Sequence, residues 1–454
     1  MGFESVNERN ETMANVRVVV AAMIVFAAAG SWAADWPEFR GPKGDGVALS
    51  GKPPTAWSET ENIRWKVETP GRGWASPVIA DGRIWLTTAI EHAMSAELRE
   101  KLKGEKFAGN PMKDQMTIVG EISLKLLAFD AESGKPIADS ELLTVEKPQS
   151  VHQLNSYASP TPVWDHGRLY CHFGTYGTVC YDIATDKVVW KSTLPLEHGV
   201  GPGSSPVVVG DKLIIPCDGV DQQYVIALDT KTGEQVWKTP RPKMAGTNGD
   251  LHKSFTTPLV IQFAGRDQVV IVGAQWVVSY DPGTGEEIWK VRHGDGFSNV
   301  PRPVFGQGMV FISTGFMRPE LWAIRADGEG DVTETHVEWK VPKQVPTMPS
   351  PLLVDSEVYF VNDQGVASCV DALTGKPRWQ KRIEGNYIAS PLFVNGYVYF
   401  CNREGKTLVV KAGKTYEPVA ENLIDGQIFA SPAVLDDALI LRSDTHLYRI
   451  EAGR

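Results

Sequence analysis

The sequence predicts an all-β fold: an eight-bladed β-propeller of four-stranded antiparallel blades, closed by an N-terminal strand, with one small helical insertion in blade 1. Three observations carry this prediction. A small residue, a Pro and an apolar run recur eight times, at Pro77, Pro162, Pro206, Pro258, Pro303, Pro351, Pro391 and Pro432. A turn former follows most of these prolines by five residues, as at Gly82, Gly167, Asp211, Gly308, Ser356, Gly396 and Asp437. An Asp, then Thr-Gly, then Trp closes several units, as in Asp229, Thr232-Gly233 and Trp237. The prolines lie 85, 44, 52, 45, 48, 40 and 41 residues apart, and periods of this size mark propellers or solenoids.

Each element follows from this register. Asn62–Val67 is a spare fourth strand, because its Trp65-Lys66 matches Trp190-Lys191, Trp237-Lys238, Trp289-Lys290 and Trp339-Lys340. After Pro77 comes a first strand, A, then Asp81-Gly82, a strong two-residue hairpin signal because both central positions need positive φ. The second strand, B, begins at Arg83; its counterparts begin at Arg168, Lys212, Glu357 and Tyr397. The long first interval places an insertion at residues 89–122, with a helix over 91–103 whose Leu98 and Leu102 are four apart. The third strand of blade 1, C, ends near Asp130, and the fourth strands, D, carry the Trp. The last unit stops after three strands, at Leu447–Ile450, so strand 62–67 completes it and removes an open edge. An open solenoid would need caps at both ends.

Residues 1–33 read as a secretory signal peptide. Val18–Ala29 is an apolar run preceded by Arg17 and followed by Ser31-Trp32-Ala33, and translation is expected to start at Met13, since Glu4, Glu8 and Glu11 suit a leader poorly. The run is shorter than the roughly 20 residues a spanning helix needs, so no membrane span is expected after cleavage; an uncleaved anchor is the alternative. Residues 34–61 form an N-terminal extension and 62–454 the propeller. The expected location is periplasmic or secreted. A net charge of −10 without a basic run argues against nucleic acid as a partner.

Of five cysteines, Cys171 and Cys180 lie three residues outside Gly174 and Gly177, which puts them opposite each other across a hairpin. A disulfide is allowed if they form a non-hydrogen-bonded pair; two buried thiols are the alternative. Cys217, Cys369 and Cys401 have no zinc-ligand spacing.

The phrase Ala227-Leu228-Asp229…Thr232-Gly233…Trp237, with copies at 279–289 and 369–379, resembles the quinoprotein-alcohol-dehydrogenase-like propellers, the PQQ-binding-like repeat proteins, over about residues 62–454. Trp36-Pro37-Glu38-Phe39-Arg40-Gly41-Pro42…Gly44-Asp45-Gly46 looks like exported planctomycete members of that group. The resemblance implies a blade-docking role for Trp65, Trp190, Trp237, Trp289, Trp339 and Trp379, with blades 1 and 7 packed differently. The enzymes of the group carry an adjacent Cys-Cys pair, a calcium site and a catalytic Asp. This sequence has no Cys-Cys, and Asp130, Asp182, Asp229, Asp281 and Asp371 recur blade by blade, which marks a turn role. No cofactor, metal or catalytic residue is therefore expected; PQQ with calcium in an oxidoreductase is the alternative. Relatives without the cofactor include an outer-membrane assembly scaffold. The expected function is a binding or scaffold module, a monomer whose partner is a cell-envelope protein or glycan.

Antiparallel geometry locates the site. Strands A and B turn on one face, the AB face. Loops leading into A and loops joining B to C share the other, the BC face, together with the insertion. Loops from many blades converge there. His152, Asn155, Tyr157, Lys253, Arg302, Arg318 and Asn386 are the candidate contact ring; four of them are Lys, Arg or His, which suits an anionic ligand such as an acidic glycan. Asp218-Gly219-Val220-Asp221 does not match a calcium loop, and no Ser-His-Asp order, HExxH or GxSxG is present.

Overall fold

A computed structural model describes residues 35–453. The signal peptide and the Met13 start lie outside the described residues.

Eight antiparallel sheets stand around one axis, each running from a short inner strand to an outer one. Blade 1 is built from Val78–Ala80, Arg83–His92, Glu121–Asp130 and Pro136–Glu146. Blade 8 takes Ala433–Leu435, Ala438–Arg442 and His446–Glu451 from the chain's end and Ile63–Glu68 from its beginning. Trp65 pairs with Arg449 and Val67 with Leu447, so the two ends of the propeller share one sheet. Arg442 reinforces this seam, its Nη1 donating to Ala75 O and Thr87 O of blade 1 at 2.9 and 3.1 Å. The hydrophobic clusters lie between neighbouring blades, because each sheet is covered on both faces.

The Asp-Thr-Gly phrase is a turn that docks its neighbour. Asp229 Oδ1 accepts the N–H groups of Lys231 and Thr232 at 2.8 and 2.9 Å, and Asp371 Oδ1 those of Leu373 and Thr374 at 3.1 and 2.8 Å. The following glycine adopts positive φ and leaves room for the Trp of the preceding blade. A Cβ on Gly233 would lie 2.5 Å from the Trp190 ring, on Gly285 2.5 Å from Trp237, on Gly375 2.7 Å from Trp339 and on Gly134 2.7 Å from Trp65. Trp190 also donates to Thr230 O and Trp379 to Gly413 O, each in the next blade. Trp289 departs from the pattern. Blade 5 lacks the Thr-Gly turn, and Trp289 instead donates to Gln268 Oε1 at 2.8 Å, whose Nε2 reaches Ala326 O of blade 5. An extra strand, Gly330–Asp331, lies beside it, making blade 4 five-stranded.

Two local readings are corrected. The strands of blade 1 pair as far as His92 with Glu121, so the insertion shortens to residues 93–120. Its helix, α1, runs Ala96–Lys106 and starts where Ser95 caps it. The Cys171–Cys180 pairing fails by one residue. The hairpin closes through Phe173 N–H to Gly177 O, so Cys171 stands opposite Val179 and Cys180 opposite Tyr170. A one-residue shift sends side chains to opposite faces of a sheet. Cys171 packs toward blade 1 and Cys180 toward blade 3. All five thiols are free and buried, and burial pushes the Cys180 thiol up to about 11.

Candidate functional site

The N-terminal extension plugs the propeller axis. Trp36 exchanges backbone hydrogen bonds with Ile79 of blade 1, Pro37 O accepts Trp164 N–H of blade 2, and Gly46 and Ala48 bond Phe393 of blade 7. The segment starts beside Asp81 and leaves with Lys52 N–H on Asp437 Oδ1, two AB turns. It is thus a loop inserted from the AB face, with its tip, Phe39–Gly44, inside the channel. The tip is tightly folded, with Gly46 N–H on Arg40 O at 2.9 Å. Gly44 is required there: its φ is +65°, and a Cβ would lie 2.3 Å from the Arg302 guanidinium.

Around this plug the repeat phrase builds a hydrogen-bonded hoop. The residue before each repeat proline accepts, through its hydroxyl, the backbone N–H of its counterpart one blade earlier. Ser76 N–H bonds Thr161 Oγ1, Thr161 N–H bonds Ser205 Oγ, and Ser205 N–H bonds Thr257 Oγ1, at 2.9, 2.9 and 3.1 Å. The hoop resumes from Arg302 N–H through Ser350, Ser390 and Ser431 back to Ser76, at 2.9 to 3.1 Å. Arg302 is the one member without a hydroxyl. Its guanidinium grips the plug, with Nε on Pro258 O at 2.9 Å, Nη1 on Phe39 O at 2.5 Å and Nη2 on Glu38 Oε1 at 3.1 Å. Burial raises the Glu38 carboxyl's pKa against the opposing pull of Arg302.

Above the plug lies a cavity of about 330 Å³ opening on the BC face. Phe39 contributes to its floor, and the seven hoop hydroxyls surround its inner end. A second ring stands two residues earlier in each repeat: Trp74, Ser159, Gly203, Phe255, Val300, Met348, Ile388 and Phe429 all line the wall. Trp74 stacks on Phe429 with ring centroids 4.1 Å apart. Phe297 and Phe316 meet edge to face near the mouth, and Met112 of the insertion reaches the same space.

Of the residues expected in a contact ring, His152, Asn155 and Lys253 line this cavity. Lys253 is held by Asp250 at 2.6 Å. His152 bonds Gln115 at 2.8 Å, and its burial, followed by the charge of Arg72, lowers its pKa. Asn155 Nδ2 donates to Val200 O and Pro202 O. Tyr157 is buried, its hydroxyl on Gln149 O. Arg302 lies beneath the floor, outside the lining. Arg318 and Asn386 are exposed, and Asn386 is bound to Glu404. The expected cationic ring is therefore not assembled, and the wall is mainly apolar. Sequence reasoning missed that wall, although the apolar residue two places before Ser-Pro is visible as a column.

Beside the main cavity, Asp218 lines a small polar space with His172 and His198. Burial raises the Asp218 pKa to about 6 despite Arg241, whose Nε lies 3.3 Å away.

A calcium ion takes oxygen ligands, carboxylates foremost, and no Asp or Glu lines the axial cavity. Among the described residues no three His, Cys, Asp or Glu side chains gather as a metal site.

A closed ring of these repeats defines the class: this is a PQQ-binding-like β-propeller. The family described as outer membrane protein assembly factor BamB matches residues 44–239, 108–275 and 273–415, and the chain belongs to that family. Its fold is similar to that of BamB from Moraxella catarrhalis, at TM-score 0.52 and 13% identity, covering 74% of this chain and 99% of that one. It is also similar to quinohemoprotein alcohol dehydrogenase from Comamonas testosteroni, at TM-score 0.51 and 12% identity, covering 93% and 81%. No curated protein matches the sequence.

Proposed function

We propose that this chain is an exported, cofactor-free recognition propeller that holds an apolar segment of a cell-envelope protein in its axial cavity. The observation that carries the reading is the blind, aromatic-walled cavity, closed by the chain's own plug and lined by no carboxylate. Such a space binds by burying apolar surface, with a few polar groups fixing orientation. The envelope location is supported by the leader-like pattern of residues 1–33 and by a family described by outer membrane protein assembly.

The test is photo-crosslinking from position 317, at the mouth, in the envelope of cells making the full chain. Defined protein adducts are expected, and Phe297→Ser with Phe316→Ser should abolish them. Adducts unchanged in the double variant would sink the reading. So would dye-linked alcohol oxidation by the purified protein after addition of PQQ and calcium.

A further inference from the structure

This inference rests on the axial cavity as a recognition site and specifies what it takes. We propose that the cavity captures the carboxylate end of a polypeptide whose last residue is apolar or aromatic.

The plug makes the cavity blind. Phe39 closes its floor, with the Arg302–Glu38 pair beneath it, so a polypeptide can reach the inner end only with a terminus or a single side chain. What waits there is a set of donors. Ser76, Thr161, Ser205, Thr257, Ser350, Ser390 and Ser431 are each 6% exposed or less and each already accepts one backbone N–H. A hydroxyl also carries one O–H donor. Among the described residues, none of these seven donates to a protein acceptor, and all seven line the cavity.

Charge decides which terminus fits. No carboxylate lines the space, whereas the Lys253 ammonium lies in its wall; beneath the floor the Arg302 guanidinium is matched by Glu38. Lys253 is 5% exposed while its partner Asp250 is 56% exposed, so water screens the negative member more than the positive one. A carboxylate is stabilised there by charge-assisted hydrogen bonds, and an ammonium is not. The apolar wall receives the last side chain. The apolar surface then continues outward over Val300, Phe316 and Met317, which are 36%, 47% and 71% exposed. That extension favours a chain leaving the cavity over a small acid enclosed in it.

The experiment is calorimetric titration of the full chain with an acetylated hexapeptide ending in Leu-Phe, as free acid and as C-terminal amide, and with phenylpropanoate. The free-acid peptide is expected to bind at least tenfold more tightly than the amide. Met317→Ser, a change outside the cavity on the exposed rim, should weaken the peptide and leave phenylpropanoate unaffected. Equal binding of acid and amide would overturn carboxylate capture while leaving the cavity a recognition site. Phenylpropanoate binding as tightly as the peptide would overturn the polypeptide occupant. Binding by none of the three would overturn the inference, and the crosslinking from position 317 then judges the recognition reading independently.

Discussion

Arg302 and Glu38 meet 3.1 Å apart beneath the cavity floor, joining the fifth repeat to the segment that precedes the first. Arg302 is 1% exposed at its side chain and Glu38 17%, so the pair lies largely out of water. It explains the one irregular repeat phrase, Pro301-Arg302-Pro303: the hydroxyl that the hoop lacks there has been exchanged for a side chain long enough to hold the plug.

Removing one member of a buried pair leaves the other desolvated and alone. Arg302→Ser is expected to cost about 3 kcal/mol in urea denaturation, even though it supplies a hydroxyl at the eighth hoop position. Adding Glu38→Gln should recover most of that loss. A double variant as unstable as the single one would show that the ion pair is not what holds the plug.

The docking turns separate backbone strain from packing. Gly82 and Gly233 have φ of +68° and +73°, but a Cβ at Gly82 meets nothing within 4 Å, whereas one at Gly233 lies 2.5 Å from the Trp190 ring. Gly82→Ala should cost about 1 kcal/mol, the strain alone. Gly233→Ala should cost about 3 kcal/mol, because the ring must also move. Equal thermal shifts for the two would refute the docking role of that contact.

Acid should destabilise the fold through its buried histidines. Burial lowers His172 to about 3 and His198 and His293 to about 4, from 6.5. The unfolded chain therefore binds more protons between those values, and stability falls as pH drops from 6.5 to 4. Asp218 acts in the opposite sense: raised from 3.8 to about 6, it binds its proton more readily when folded, which adds stability as pH falls through that window. Asp218→Asn should make the acid loss steeper in denaturation midpoints taken from pH 4 to 7. A shallower slope would contradict the assignment.

Thiol counting tests the hairpin register. Unfolding the purified protein without reductant should expose five alkylatable cysteines by mass spectrometry. Finding three, with Cys171 and Cys180 unreactive, would restore the pairing that the register denies.

Much of this architecture was legible because a propeller repeats its own grammar. The Ser/Thr-Pro phrase, the Asp-Thr-Gly turn and the strand-D Trp each recur where the same local contact must be made, so periodicity revealed blade number, register and the closing role of Trp65. The hairpin at Cys171 was misread because nothing local distinguishes a turn centred on Thr175 from one displaced by a residue. The cavity wall at Trp74, Phe255, Met348 and Phe429 was present as a column, yet polar loop residues drew attention instead.

The sequence by itself determined the ring of eight blades, the shared strand of blade 8 and the face that carries the insertion, since these follow from period and strand polarity. Only the tertiary structure decided that residues 35–48 fill the axis from the AB face, that Arg302 turns under the floor rather than toward a ligand, and that the BC cavity is apolar and blind. The physical reason is that these features join residues far apart in the chain, 264 positions for Glu38 and Arg302. No periodicity reports such a contact; it exists only once the ring has closed around it.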